Sequence, residues 1–213
     1  MMIAAHQTML APPALPYAKE VQYLVFDGTQ CVEAVVPTDA HTLTVHYNGT
    51  YVSDGEANPL GLYDNYPTTA NRVYAGPYGA RARCVLIQPE YNISQNVTNA
   101  DVVQTVDVFN RQHTVVKNGT TYTATIGNFG TLTTQKPVGV GARNVYRNTG
   151  SHEIAVGISG KIYSFKSWIS GVAESDWIPV VDLNGVACFY DQIGGSLHYT
   201  WTGNPLVAGP DKT

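Results

Sequence analysis

The sequence predicts an all-β domain, a sandwich of two antiparallel sheets, and three observations carry that prediction. Strand and turn formers are plentiful: 14 tyrosines, 20 glycines and 12 prolines in 213 residues, with abundant threonine and valine. Apolar segments are short, several alternate residue by residue, and turn pairs separate them. No amphipathic run is long enough for three helical turns. With 44% hydrophobic and 13% charged residues, the chain can bury a sizeable core and lacks the composition of a disordered one.

Residues 1–18 read as an extended arm. They are apolar and carry Pro12, Pro13 and Pro16, which fix φ and remove ladder donors. Residues 19–213 read as one domain. Residues 21–26 form a strand closed by Asp27-Gly28, and 31–36 one closed by Pro37. Residues 42–47 alternate, with Leu43, Val45 and Tyr47 on one face and Thr42, Thr44 and His46 on the other. Asn48-Gly49 then predicts a tight hairpin turn. Between 53 and 81, prolines and glycines mix with tyrosines, which predicts long loops with at most one short strand. Strand character resumes at 84–88, 92–100 reads as loop, and 102–109 is a β-branched strand.

The clearest hairpin is 113–117 and 121–126 around Asn118-Gly119. A short strand at 138–142 and a polar loop at 143–151 follow. Residues 154–168 are apolar on both faces, as in a central strand. Residues 177–181 and 186–190 flank Asn184-Gly185, and 197–201 follow Gly194-Gly195.

Two segments carry a family resemblance. In the first, Tyr23, Phe26, Gly28, Gln30, Pro37 and Thr38 fall where such modules open. The second runs from Gly160 to Gly209. It contains Lys161-Ile-Tyr-Ser-Phe-Lys, Asp176-Trp-Ile-Pro-Val and Asn184-Gly-Val-Ala-Cys-Phe-Tyr-Asp. Together with 115–120 and 141–144, these resemble the concanavalin A-like (laminin-G-like) jelly-roll module of bacteriophage and gut bacterial surface proteins. The resemblance covers about residues 20–209 and thins between 53 and 100. It implies a jelly roll with Tyr163, Phe165, Trp177, Ile178 and Phe189 in the core and Asp191 fixing a turn. Such modules include lectins, glucanases and virion attachment or decoration domains, so the resemblance speaks to fold before function.

Catalysis is not expected. The resemblance would place a glucanase's acid and nucleophile on alternate residues of one strand, as E-x-D-x-E. No such run exists, and the nearest pair, Glu174 and Asp176, lacks a third acid. His152-Glu153 lacks the second histidine of a zinc protease, and Gly157-Ile-Ser-Gly160 lacks the spacing of a nucleophile elbow. The six histidines are dispersed. Cys31, Cys84 and Cys188, an odd number in apolar contexts, read as buried free thiols. No cofactor is expected. Lectins of this superfamily hold calcium with hard oxygen ligands, but Asp54, Asp64, Asn65 and Asn71 match no calcium-loop spacing. A net charge of −4 without a Lys/Arg cluster argues against nucleic acid. No apolar run approaches about 18 residues, so no membrane span is expected, and no basic segment marks a secretory signal.

Binding is the remaining role. Tyr63, Tyr66, Tyr74 and Tyr78, with Asp64, Asn65, Asn71, Arg72, Arg81 and Arg83, combine flat rings with planar polar groups. That set suits a glycan, a protein contact, or simple packing of a long loop. Arg143, Asn144, Tyr146 and Arg147 form a second candidate loop, and Trp201 is expected in the core. The leading expectation is a non-enzymatic structural or attachment protein of a bacteriophage virion. It would be a homo-oligomer whose arm docks on other virion or surface proteins. The alternative is a glycan-binding lectin module of a bacterial surface or secreted protein, with a glycoside hydrolase a distant third.

Overall fold

Alternation builds the first layer. In β4 (His41–Tyr51) every second residue from His41 to Gly49 is buried. The strand lies between β9 (Asp101–Asp107) and β15 (Ile158–Ile169), antiparallel to both. The computed structural model describes residues 14–51, 55–66, 71–79, 81–87, 90–127 and 131–213, so most of the arm and Asp54 lie outside the described residues. Beyond β9 come β10 (Gln112–Lys117) and β11 (Thr120–Thr125). Beyond β15 come β16 (Val172–Asp182), β17 (Ala187–Asp191) and β18 (Leu197–His198). With β1 (Tyr17–Glu20), β2 (Leu24–Asp27) and β20 (Val207–Ala208) this sheet has eleven strands.

The second sheet has nine. Its order is β19 (Thr200–Thr202), β3 (Cys31–Glu33), β12 (Gly139–Val140), β5 (Leu60–Tyr66), β6 (Asn71–Tyr78), β7 (Arg81–Leu86) and β8 (Glu90–Ile93). A further strand, β13 (Arg143–Arg147), runs parallel to β5 and antiparallel to β14 (His152–Ala155). No helix occurs among the described residues. The protein is an all-β sandwich.

The core lies between the sheets. Leu43, Val45, Tyr47, Ile162, Phe165 and Trp177 enter it from the larger sheet, and Leu60, Leu62, Val73, Cys84 and Leu86 from the smaller. Phe165 packs edge-on against Trp177 at 5.0 Å, and Trp177 lies 5.7 Å from Phe189. Full burial of one such side chain is worth roughly 2 kcal/mol. All three cysteines are free and buried. Burial pushes the Cys31 and Cys188 thiols up, to about 12 and about 11. One polar bridge crosses the layers: Gln104 on β9 donates to the Arg83 carbonyl on β7 at 2.9 Å and shares a 2.8 Å hydrogen bond with His113. Its carbonyl oxygen accepts the Tyr47 hydroxyl at 2.9 Å.

Several local expectations are corrected. Asn48-Gly49 makes no turn; β4 continues to Tyr51, with Gly49 opposite Gly160. A Cβ on Gly49 would lie 2.7 Å from Ile158 Cγ1, so the glycine serves close packing inside the strand. Much of the expected loop region 53–81 is the β5–β6 hairpin. Pro77 fits in β6 because its carbonyl faces Ala57 N, beyond the last pairing with β5, where a missing donor is harmless. The polar segment 143–151 begins as strand β13, polar because it borders the outer face. Tyr163 and Ile178 are only half-buried. A register shift between Ile162 and Ser164 turns both Tyr163 and Ser164 outward. Asp191 does fix its turn, accepting from Ile193 N and Asp176 N at 3.0 Å each.

Candidate functional site

The outer face of the nine-stranded sheet interleaves arginines and tyrosines. Because β13 is parallel to β5, Arg143 comes opposite Gly61, Val145 opposite Tyr63 and Arg147 opposite Tyr66. On the other side of β5, β6 sets Tyr74 opposite Gly61 and Arg72 opposite Tyr63. Gly61 leaves the necessary space, since a Cβ there would lie 2.8 Å from the Arg143 Cβ. The Arg143 guanidinium carbon consequently sits 4.7 Å from the Tyr74 ring centre. Arg83 lies 4.1 Å from the Tyr78 ring, Arg147 4.8 Å from Tyr66, and Arg72 5.2 Å from Tyr63. Such contacts are worth about 0.5–1 kcal/mol when exposed and more when dry.

Glu56 ties the ladder together. Its Oε1 accepts from Arg83, from Arg143 Nη1 at 3.3 Å and from Asn58 Nδ2 at 3.0 Å. Burial alone would raise the Glu56 carboxyl. The Asn58 hydrogen bond and the Arg143 and Arg83 charges outweigh it and hold the carboxyl below the ordinary range. Burial would likewise lower Arg83, but Glu56 overcomes it and raises the guanidinium.

Exposure separates floor from rim. Tyr63 and Tyr74 are 8% and 5% exposed and lie within the ladder, whereas Tyr66 and Tyr78, at 36% and 41%, are its open ends. Arg81 is exposed and faces Tyr78 across the β6–β7 hairpin. Asn144 does not join the face, which corrects its assignment as a binding residue. It points inward from β13 and is fully buried; its Nδ2 donates to the Pro137 carbonyl and its Oδ1 accepts from the Cys31 thiol at 3.1 Å.

Tyr146 belongs to a second group. The β13–β14 pairing sets it opposite His152, and their rings stack at 3.9 Å and 12°. Trp201 of β19 stacks on His152 at 4.1 Å and 21°, so the imidazole lies between two larger rings. Trp201 is 38% exposed, which corrects its expected place in the core: in a three-residue strand flanked by two threonines, the indole turns outward. The Tyr146 hydroxyl donates to Glu33 at 2.8 Å. Burial raises its pKa well above the phenol range, and the Glu33 hydrogen bond adds to this. Burial also holds the His152 pKa below its ordinary value, against the opposing Glu33 charge, with Lys136 adding to the shift. The environment of His152 therefore favours the neutral imidazole. The sequence points to neither Glu33 nor Lys136, offers His152 only as half of an incomplete zinc-protease pair, and sends Trp201 inward. Their signal, a lone tryptophan between threonines and a His-Glu pair in polar sequence, is too weak to read without the pairing.

Between these groups opens a cleft of about 380 Å³ walled by Asp64, Asn71, Lys136, Tyr146, Arg147 and Asn148. A smaller cavity of about 140 Å³ adjoins it through Arg147 and is lined also by Tyr63, Tyr66, Arg143 and Glu153. Asp64 accepts the Thr134 hydroxyl at 2.8 Å and Asn71 accepts from Thr133 N at 3.0 Å, so two of the four calcium candidates are engaged by the neighbouring segment. No group of three His, Cys, Asp or Glu that could hold a metal occurs among the described residues. The part-exposed Trp201 indole that ends the stack can receive the apolar face of a sugar ring, and the amide, carboxylate and cationic groups of the cleft its hydroxyls.

The eleven-stranded sheet bears a groove of about 500 Å³ past Tyr163, Lys166, Asp176 and Gln192. Its charges are already paired. Lys166 meets Asp176 at 2.9 Å, Lys212 meets Glu20 at 2.8 Å, and His46, stacked on Tyr163, lies 2.5 Å from Asp101.

No protein-family model matches the chain, and no curated protein matches it in sequence. Among solved structures, it is similar to one described as "a putative carbohydrate binding protein from Bacteroides ovatus", at 13% identity and a TM-score of 0.55. The match covers 92% of this chain and 62% of the other, so the chain spans less than two thirds of that protein's length. At this identity the likeness is one of fold.

Proposed function

We propose that this protein is a non-enzymatic carbohydrate-binding module with a concanavalin A-like sandwich, and that it holds saccharide on the outer face of its nine-stranded sheet. The observation that carries the reading is the Tyr146–His152–Trp201 stack beside the 380 Å³ cleft, an aromatic platform next to planar polar groups. The carbohydrate-binding description of a structural neighbour with the same fold supports it. Among the described residues the cleft wall contributes one carboxylate, Asp64, where a glycosidase needs two, which supports binding over cleavage. The virion role expected from the sequence has no support in the fold or the comparisons, and its docking arm lies largely outside the described residues.

The test is a polysaccharide panel applied to the wild type and to Trp201→Ala. The wild type retains at least one polysaccharide, and the variant binds it tenfold or more weakly, a loss of about 1.4 kcal/mol. Thermal unfolding shifts little, because the indole is partly exposed. Failure of every polysaccharide to bind, or equal binding by the variant, overturns the reading.

A further inference from the structure

We infer that the saccharide bound on this face carries a carboxylate, and that Arg143 and Arg147 receive it in the cavity between Tyr63 and Tyr66. The inference rests on the carbohydrate-binding reading and names its ligand class. Charge distribution is the first ground. Five of the six arginines in the chain lie on β6, β7 and β13, although the chain is net negative. In the ladder, four guanidiniums (Arg72, Arg83, Arg143 and Arg147) meet three carboxylates, Glu56, Glu90 and Glu153. Arg72 bonds a backbone carbonyl, that of Ile87, at 3.0 Å.

Geometry is the second ground. Arg147 directs both Nε and Nη2 to one oxygen of Glu153. Arg83 and Arg143 converge on one oxygen of Glu56. The Nε of Arg143 is buried without an acceptor among the described residues. A buried donor left this way forfeits its hydration without a replacement hydrogen bond, a cost that a ligand oxygen would remove. Arg143 and Arg147 both line the 140 Å³ cavity, and Arg147 also walls the 380 Å³ cleft. A sugar ring seated in the cleft would thus direct a carboxylate past Arg147 towards Arg143. A planar guanidinium matches the two carboxylate oxygens better than it matches a hydroxyl.

The test uses matched pairs of polysaccharides, polygalacturonate, alginate and hyaluronate, each beside its carboxyl-reduced counterpart, within a wider panel of neutral glycans. At least one acidic member binds tenfold or more tightly than its reduced partner. That preference falls at least fivefold between 50 and 500 mM NaCl, a reading that needs no variant. Arg147→Gln and Arg143→Gln bring the pair within twofold, the acidic member losing more affinity than its reduced partner. Equal binding within every pair, or tighter binding of the reduced members, overturns this inference and leaves the carbohydrate reading standing. Absence of binding to any glycan, acidic or neutral, overturns both.

Discussion

His113 shows how a single side chain adds to the acid sensitivity of this fold. It is fully buried, and its shared hydrogen bond with the Gln104 amide requires an unprotonated ring nitrogen. Burial pushes its pKa down from 6.5 to about 4, against the opposing Tyr91 backbone. The unfolded chain therefore binds a proton more readily than the folded one. The stability at stake is intact above pH 6.5 and is lost as the pH falls towards 4. At pH 4.5 the loss from this group is about 2–3 kcal/mol. Urea unfolding at pH 7 and pH 4.5 measures it: His113→Gln should show a loss on acidification smaller by that amount, and an equal loss in both proteins would contradict the assignment. Residue roles on the outer face were partly legible. Tyr66 and Tyr78 stand at the rim, but Tyr63 and Tyr74 are covered by arginines from β13, β6 and β7, which no local pattern announces. Asn144 reads as polar loop and is buried for the Cys31 thiol it accepts.

At the scale of elements, glycines divide into those that turn the chain and those that admit a neighbour. Asn118 and Gly119 have φ of 51° and 75°, and they close the β10–β11 hairpin that the Asn-Gly pair predicts. A Cβ on Gly119 would touch nothing, so Gly119→Ala costs only the left-handed backbone, about 1 kcal/mol. Gly141 has φ of 95°, and a Cβ there would lie 2.1 Å from Phe26 Cε1 in the core. Gly141→Ala should cost about 3 kcal/mol or more, since strain and overpacking add. Chemical denaturation should rank wild type above Gly119→Ala above Gly141→Ala; equal midpoints for the two variants would contradict this. The same division explains which strands could be read in sequence. β4 and the β10–β11 hairpin alternate cleanly. β5 and β6 hide because Gly61 and Gly76 look like turn residues, whereas they make room for Arg143 and for the Ala57 carbonyl. β13 hides because its partners, β5 and β14, cannot be inferred from its own five residues.

For the whole molecule, the two-sheet sandwich was legible because period-two burial is a local property repeated along most strands. The site was not, because it depends on which strands become neighbours. Parallel pairing of β13 with β5 joins two regions some eighty residues apart, and β19 then adds Trp201 to the Tyr146–His152 stack. The same topology separates this face from the groove past Tyr163 on the other sheet, whose charges are mutually paired. The most direct measurement is amide and indole chemical-shift mapping while the tightest-binding oligosaccharide from the panel is titrated into the ¹⁵N-labelled protein. The account predicts that the perturbed signals gather on β5, β6, β13 and β14 and on the Trp201 indole, with the Trp177 indole unmoved. Perturbations confined to β15, β16 and the neighbourhood of Tyr163 would place the saccharide on the opposite sheet and contradict it.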